Sequence, residues 1–430
     1  MQTQTSSTAN CVIGIDVHLS SLVCCAIWEE NGEMKVEKAT FGTFKNQKKA
    51  MAQWCKDHHP NLVIMESTGI YWKSPYAFLE KVGIIPAVVN ARSIKQMEGK
   101  KTDMGDAEWL AHVGRLGCFV RSFVPKAIYR RLRLTSRFIL NETDELNADK
   151  NRFHSILNDA GYRLSLIFSD ISGVTAEICI KGILAGKTAE EILNDIPPKL
   201  LQMLKASPEE IKDALDGDLT DEHRANLLWI QNIMEAKKKS IQEAELRILS
   251  VVKELHPEAV MYLQTIPGIN ESSAVKILIE LGGEDLEAFK TCEKLASWLG
   301  VCPGNNESAG KRKHGHIRKG NYYLRRILCE CANAAARTKN TSLSSKYKSM
   351  SIRRGKKRAI VALVHTISKI IFFVLKNKAE YRDPKINYEE ESAKKNAKRW
   401  VKILCTLPEW KVNATDLVSG QEFSSAHTGS

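Results

Sequence analysis

The chain contains no C-x-x-C pair, no G-x-x-x-x-G-K-[ST] phosphate loop and no apolar run of the roughly 18 residues that a membrane span requires. The first absence excludes zinc-ribbon spacing, and the second removes the usual ATP site. The stretch Met1–Ser7 has neither the basic nor the apolar segment of a secretion signal. A cytoplasmic protein with no membrane role is expected. The eleven cysteines are odd in number and scattered from Cys11 to Cys405. The close pairs, Cys24-Cys25 and Cys329-x-Cys331, lie in apolar stretches, where thiols behave as small hydrophobes.

Acidic residues are scarce in one place. Between residues 301 and 360 sixteen Lys/Arg face two acids, Glu307 and Glu330. The whole chain has 63 Lys/Arg against 50 Asp/Glu, a net +13, so this segment carries all of the excess and the remainder is nearly neutral. A solvated helix face normally mixes signs. A block of one sign, interleaved with Tyr322, Tyr323 and Tyr347, reads instead as a phosphate-binding surface, and the expected partner is nucleic acid. With 430 residues, 43% hydrophobic and 26% charged, the chain has enough material for two or three folded domains.

Residues 11–90 alternate between strand and helix signals. Strands are expected over Cys11–Val17, Leu22–Trp28, Met34–Gly42, Asn61–Glu66 and Ile84–Asn90, with Asn31-Gly32 as a hairpin turn. Helices are expected over Asn46–His58 and over Pro75–Lys81, the latter with Ser74 as N-cap and Pro75 at its first position. The order βββαβαβ builds a mixed sheet with helices on its faces, the strand order of the ribonuclease H-like fold. A helix follows over Asp106–Val113. From Ile128 to Leu255 the pattern is helical and charge-rich, with long amphipathic helices over Thr135–Leu157 and Ala225–Leu255 around shorter ones between Gly173 and Gly217. Such long helices suggest an antiparallel coiled coil and dimerisation. Thr265–Gly268 leads into a helix over Ile269–Gly282, a helix-hairpin-helix-like element whose glycine turn would offer N–H groups to a phosphate. A helix over Glu293–Leu299 ends at Gly300, before the basic block.

Four acids stand out. Asp16 lies in the first strand and Glu66 ends the fourth; with those strands adjacent at the sheet centre, their carboxylates can meet at one edge. Asp103 and Asp106, in K-T-D-M-G-D-A, are three apart at a helix start and share a face. Either Asp alone could be a capping acid. Four carboxylates at one site repel unless a cation lies among them, and hard oxygen ligands favour Mg²⁺ or Mn²⁺. Two such ions about 4 Å apart can stabilise attacking and leaving oxygens in phosphoryl transfer.

The sequences G-I-D-V around Asp16, E-S-T-G-I-Y from Glu66 and K-T-D-M-G-D-A at Asp103–Asp106 resemble DEDD-type insertion-sequence transposases. That family includes the Piv-type DNA invertases and the bridge-RNA-guided serine recombinases. The resemblance extends to T-I-P-G-I at 265–269, L-A-S-W-L-G-V-C-P at 295–303, E-S at 307–308 and R-K-G-N-Y-Y-L-R-R at 318–326, and spans about residues 10–375. It implies an α/β plus α protein: a RuvC-like domain over 10–125, a helical coiled-coil region over 126–256 with an insertion near 170–220, and a mostly helical transposase domain over 257–400. A polar tail over 401–430 would follow. It further implies that a serine, here Ser308, attacks DNA while the acids and Mg²⁺ complete a composite site. Where some relatives have Gly after that serine, this chain has Ala309. Lys311, Arg312, Lys313, Arg318, Lys319, Arg325 and Arg326 are candidate phosphate contacts, and His314-x-His316 reads as further DNA or water contacts. Expected partners are double-stranded DNA at element ends and target, a structured guide RNA, and a second copy of the chain, with a tetramer on two duplexes, beside the nucleoid. The competing expectation is a metal-dependent nuclease or Holliday-junction resolvase that uses the acids alone.

Overall fold

The computed structural model describes residues 11–67, 69–90, 105–168, 170, 173–302, 319–403 and 406, and the backbone alone at 307–308, 311–312 and 404. Two compact units, Met1–Ala127 and Ile128–Ser430, make up the protein.

The first unit is built on five strands: β1 (Cys11–Val17), β2 (Ser21–Glu30), β3 (Glu33–Gly42), β4 (Leu62–Glu66) and β5 (Ala87–Val89). Their order in the sheet is β3-β2-β1-β4-β5, antiparallel through β1 and parallel beyond it. Asn31 and Gly32 both take positive φ, 52° and 81°, the backbone of the tight turn expected between β2 and β3. Helices α1 (Lys45–Asp57) and α2 (Lys73–Lys81) cover the face carrying Ile13, Ile15, Val63 and Met65. Helix α3 (Asp106–Arg115) covers the other, with Val12, Ile64 and Val89. The result is a mixed α/β layer structure.

Ser74 is not the N-cap of α2. The backbone is already helical at Trp72, so the helix begins two residues earlier than expected and Pro75 falls third, where a missing N–H still costs nothing. Ser74 accepts a hydrogen bond from Lys48 Nζ at 2.6 Å instead.

Among its described residues the second unit is helical apart from one two-residue ladder. Helices α4 (Ala127–Asp159) and α10 (Asp221–Leu255) run antiparallel, with Lys237 on Asp149 at 2.8 Å and His223 on Asp159 at 3.0 Å. Between them come α5 (Leu164–Ile167), α6 (Val174–Leu184), α7 (Ala189–Asp195), α8 (Pro198–Leu201) and α9 (Pro208–Leu215), which share a core with Phe153, Leu157 and Leu227. Capping boxes at Thr188, Ser207 and Thr220 start α7, α9 and α10. There follow α11 (Pro257–Gln264), α12 (Glu271–Leu281), α13 (Cys292–Leu299), the ladder β6 (Glu307–Ser308) and β7 (Lys311–Arg312), and then α14 (Tyr322–Arg337), α15 (Ser342–Arg354), α16 (Lys356–Asn377) and α17 (Tyr388–Leu404). The middle and C-terminal regions therefore belong to one unit, joined by pairs such as Lys276–Glu245 at 2.7 Å between α12 and α10.

One expectation changes here. Helix α16, of 22 residues, contains an 18-residue stretch of mean hydropathy 1.9 and is long and apolar enough by composition to cross a bilayer, contrary to the reading of the bare sequence. Its Leu363, Val364, Ile367, Ile371 and Leu375 are buried within the unit, so it serves as a core helix. Gly268, in the helix-hairpin-helix-like turn, takes φ +86° against α14, and a Cβ there would lie 2.3 Å from the Cys331 carbonyl. That close packing by itself requires a glycine at this position.

Candidate functional site: an acid pair on the central strands

β1 and β4 pair in parallel with Ile13 beside Val63, Gly14 beside Ile64 and Ile15 beside Met65. One step further along both strands come Asp16 and Glu66. Side chains alternate along a strand, so the two carboxylates leave the same face of neighbouring strands, whose spacing is about 4.8 Å. Both are largely buried, 8% and 9% exposed.

Their face is the one α3 covers. A Cβ on Gly14 would lie 2.1 Å from the Ala107 carbonyl, and one on Gly114 would lie 2.8 Å from Val12. The helix thus starts over Gly14, next to Asp16, and runs back towards the beginning of β1. Asp106, its first residue and exposed, thus begins a helix on the sheet face that carries Asp16 and Glu66, towards the end where β1 and β4 finish. Asp103 lies outside the described residues. Among the described residues no three His, Cys, Asp or Glu side chains form a group able to hold a metal ion. The donors that Asp16, Glu66 and Asp106 offer are hard carboxylate oxygens, a chemistry that suits Mg²⁺ or Mn²⁺.

Ser308 lies on β6, whose Glu307 and Ser308 pair with Arg312 and Lys311 of β7. For these four residues only the backbone is described, and Lys313, His314, His316 and Arg318 lie outside the described residues. Lys319 is exposed. Arg325 is partly buried, and Arg326 is engaged within the unit by Asp144 and, at 3.3 Å, by Glu330.

Residues 13–161 match a family described as transposase, of the DEDD IS110 type, and residues 260–348 match the transposase IS116/IS110/IS902 family. The chain belongs to the IS110/IS116/IS902 family of transposases. It is 21% identical over 378 residues to the transposase for insertion sequence element IS1111A of Coxiella burnetii, covering 86% of this chain and 91% of that one. A probable family 20 transposase of Pseudomonas aeruginosa is 26% identical over 159 residues, 35% of this chain and 46% of the other. Among solved structures, Thermus thermophilus RuvC matches 26% of this chain and 99% of its own at 13% identity, with a TM-score of 0.21.

Two features of this transposase were not evident from its sequence. His18 Nε2 lies 2.8 Å from Asp16 Oδ2, and His18 also lines a cavity of about 260 Å³ with Lys48 and Tyr71. The signal was the short step from Asp16 to a second polar residue just past the strand end. The other is Glu280, fully buried on α12. Arg137 Nε and Asn321 Nδ2 donate to it at 2.8 and 2.9 Å, and Arg133 lies 3.4 Å away. Burial opposes ionisation of Glu280, but Arg137, Arg133 and Asn321 outweigh it and hold the carboxyl below its ordinary value. Burial also brings the Arg133 guanidinium down to about 10.

This network explains part of R-K-G-N-Y-Y. Asn321 accepts from Leu324 N–H at 3.0 Å, capping α14, while its amide reaches Glu280. Arg137 lies 4.3 Å from the Tyr323 ring centroid. Gly320 sits so close to Leu299 and Gly300 that a Cβ would fall 2.3 Å from the Leu299 carbonyl carbon. These motif residues position the start of α14.

Proposed function

We propose that this transposase excises and inserts a mobile DNA element by breaking and rejoining phosphodiester bonds. Ser308 supplies the nucleophile, and Asp16, Glu66, Asp103 and Asp106 supply a divalent-ion site. The observation that carries the reading is the placement of Asp16 and Glu66 in one row of β1 and β4, with the start of α3 on the same face. Asp16 and Glu66 would hold Mg²⁺ or Mn²⁺, and Asp103 and Asp106 would complete its ligands. When bound, that ion neutralises phosphate charge and polarises the reacting oxygens. Asp16 is in turn oriented by His18.

In the first transfer the Ser308 hydroxyl loses its proton, its oxygen bonds to phosphorus, and a deoxyribose hydroxyl leaves, giving a protein–DNA phosphoester. Attack by another strand's hydroxyl releases the serine. The covalent link conserves the bond energy, consistent with a chain that lacks a P-loop.

The basic residues between 311 and 358 hold the duplexes. A structured RNA from the element directs target choice by base pairing, with the protein supplying charge and shape. Two strands must be exchanged, so the working form is a dimer or, on two duplexes, a tetramer. The exposed Leu228, Trp229 and Ile233 of α10 are the surface for that association. The reaction takes place in the cytoplasm beside the nucleoid.

The test is DNA cleavage with Mg²⁺ by Asp16→Asn and Glu66→Gln. Each should fall by about a thousandfold or more, the worth of several kcal/mol of charge stabilisation, with the circular-dichroism spectrum unchanged. Cleavage at wild-type rate by either variant would overturn the acid-site reading.

A further inference from the structure

The second unit holds a cavity of about 410 Å³ between α15, α16 and the segment leading into α17. That is the size of a site for one small ligand. Its floor is apolar, made by Leu343, Ile370 and Val374, and Phe373 stands at the wall, 49% exposed.

Against this floor sits a cation. Lys346 Nζ donates to Thr366 Oγ1 at 2.9 Å and lies 5.4 Å from the Tyr388 ring centroid. Burial, reinforced by Lys369, lowers its pKa. Its partners are a hydroxyl and a ring rather than a carboxylate, which leaves an ammonium in an apolar wall short of negative charge. Arg382 adds a second cation at the exposed mouth, and Glu380 is the acid that lines it. Asp383 is turned onto Ser342, bonding its N–H and hydroxyl, and onto Lys385 N–H at 2.8 Å.

An aromatic wall with cations beside it fits the two halves of a nucleotide. Every base has a face that stacks on an aromatic ring, and Lys and Arg are strong partners for a phosphate. The cavity is also continuous with the basic segment. α15 carries Lys346 and, eight residues on, Arg354, about 12 Å along the helix. There the exposed Arg353, Arg354, Lys356 and Lys357 mark the turn into α16.

We propose that this cavity receives a single unpaired nucleotide of the nucleic acid held by the basic segment, its base on Phe373 and Tyr388 and its phosphate on Lys346 and Arg382. A base within a duplex cannot enter without leaving the stack, so the cavity distinguishes paired from unpaired strands. The proposal rests on the reading of the protein as one that acts on nucleic acid.

The experiment titrates the full-length protein into duplexes carrying one bulged 2-aminopurine, and into the same duplexes fully paired, in DNA and in RNA. Tighter binding of the bulged form, with a change in its fluorescence, is expected, and the arm that responds identifies the strand. Phe373→Ala should lower affinity for the bulged form about tenfold and leave the paired form unchanged. Lys346→Met should likewise weaken the bulged form. Phe373 is exposed enough for that variant to keep the fold, which thermal melting confirms. Equal binding of bulged and paired forms by the wild type, in both arms, would overturn the proposal while leaving the proposed function intact. No binding of any nucleic acid would overturn both. A change in sedimentation of Phe373→Ala with bulge binding unaltered would instead make the cavity a protein-docking site and end the proposal.

Discussion

At the scale of single residues, the proposed ion site depends on how firmly Asp16 is held. Its Oδ2 accepts from His18, whose other surroundings are the cleft with Lys48 and Tyr71. A partner that orients a ligand in this way is typically worth 10- to 100-fold in metal affinity or activity. His18→Ala should therefore lower cleavage by about that factor at limiting Mg²⁺, and raising Mg²⁺ should recover much of the loss. A variant with unchanged Mg²⁺ dependence would show that the contact plays no part. The placement of the two acids was legible: Asp16 lies within one apolar run, Glu66 ends another, and the strand order puts those runs side by side. His18 was not, because a histidine past a strand end looks like any surface residue until its ring is placed on the aspartate. Glu280 was equally hidden. A glutamate in K-I-L-I-E-L reads as a solvent-facing residue, and its partners Arg133 and Arg137 are more than 140 residues away in the chain.

At the scale of elements, two close packings decide where the acids and the motif loop sit. The first is α3 on β1. Because the atom a Gly14 Cβ would meet is a backbone carbonyl at 2.1 Å, Gly14→Ala must shift the whole helix. A loss of about 1–3 kcal/mol in urea unfolding of the N-terminal unit is expected, together with reduced cleavage as Asp106 moves. Wild-type stability would mean that α3 does not lie on Gly14.

The second is the Glu280 network between α4, α12 and α14. Its carboxyl is held below the ordinary 4.5, so the charged form is favoured by folding. That contribution is complete above the ordinary value and is lost as pH falls through the depressed one. Glu280→Gln should cost about 3–5 kcal/mol at neutral pH, because Arg133 and Arg137 stay buried without their counter-charge. The deficit should shrink as the wild type is acidified. An equal deficit at every pH would mean the carboxylate is not ionised. Element positions were readable from periodicity and from the Asn31-Gly32 turn, Gly282 and Gly300. The start of α2 and the role of Gly268 were not, since each is settled by what packs against it.

For the whole molecule, the sequence reading of an α/β sheet followed by helices holds. Periodicity alone could not show that the long helices α4 and α10 join the C-terminal helices, because the joining pairs are long-range. Nor could it show that the apolar α16 is a core helix, since burial depends on neighbours remote in sequence. The basic segment stands out in the sequence as a charge imbalance, and its role belongs to the proposal. The partnership of that segment, its serine and the acids is the account's central claim.

It is tested most directly on a denaturing gel, with purified protein, Mg²⁺, labelled junction DNA and the element's own non-coding RNA, comparing wild type with Ser308→Ala. The account predicts a slow-migrating protein–DNA species in the wild type and none in the variant. Cleaved DNA without a covalent species, equally in both proteins, would contradict it and leave a metal-dependent nuclease working through its acids alone.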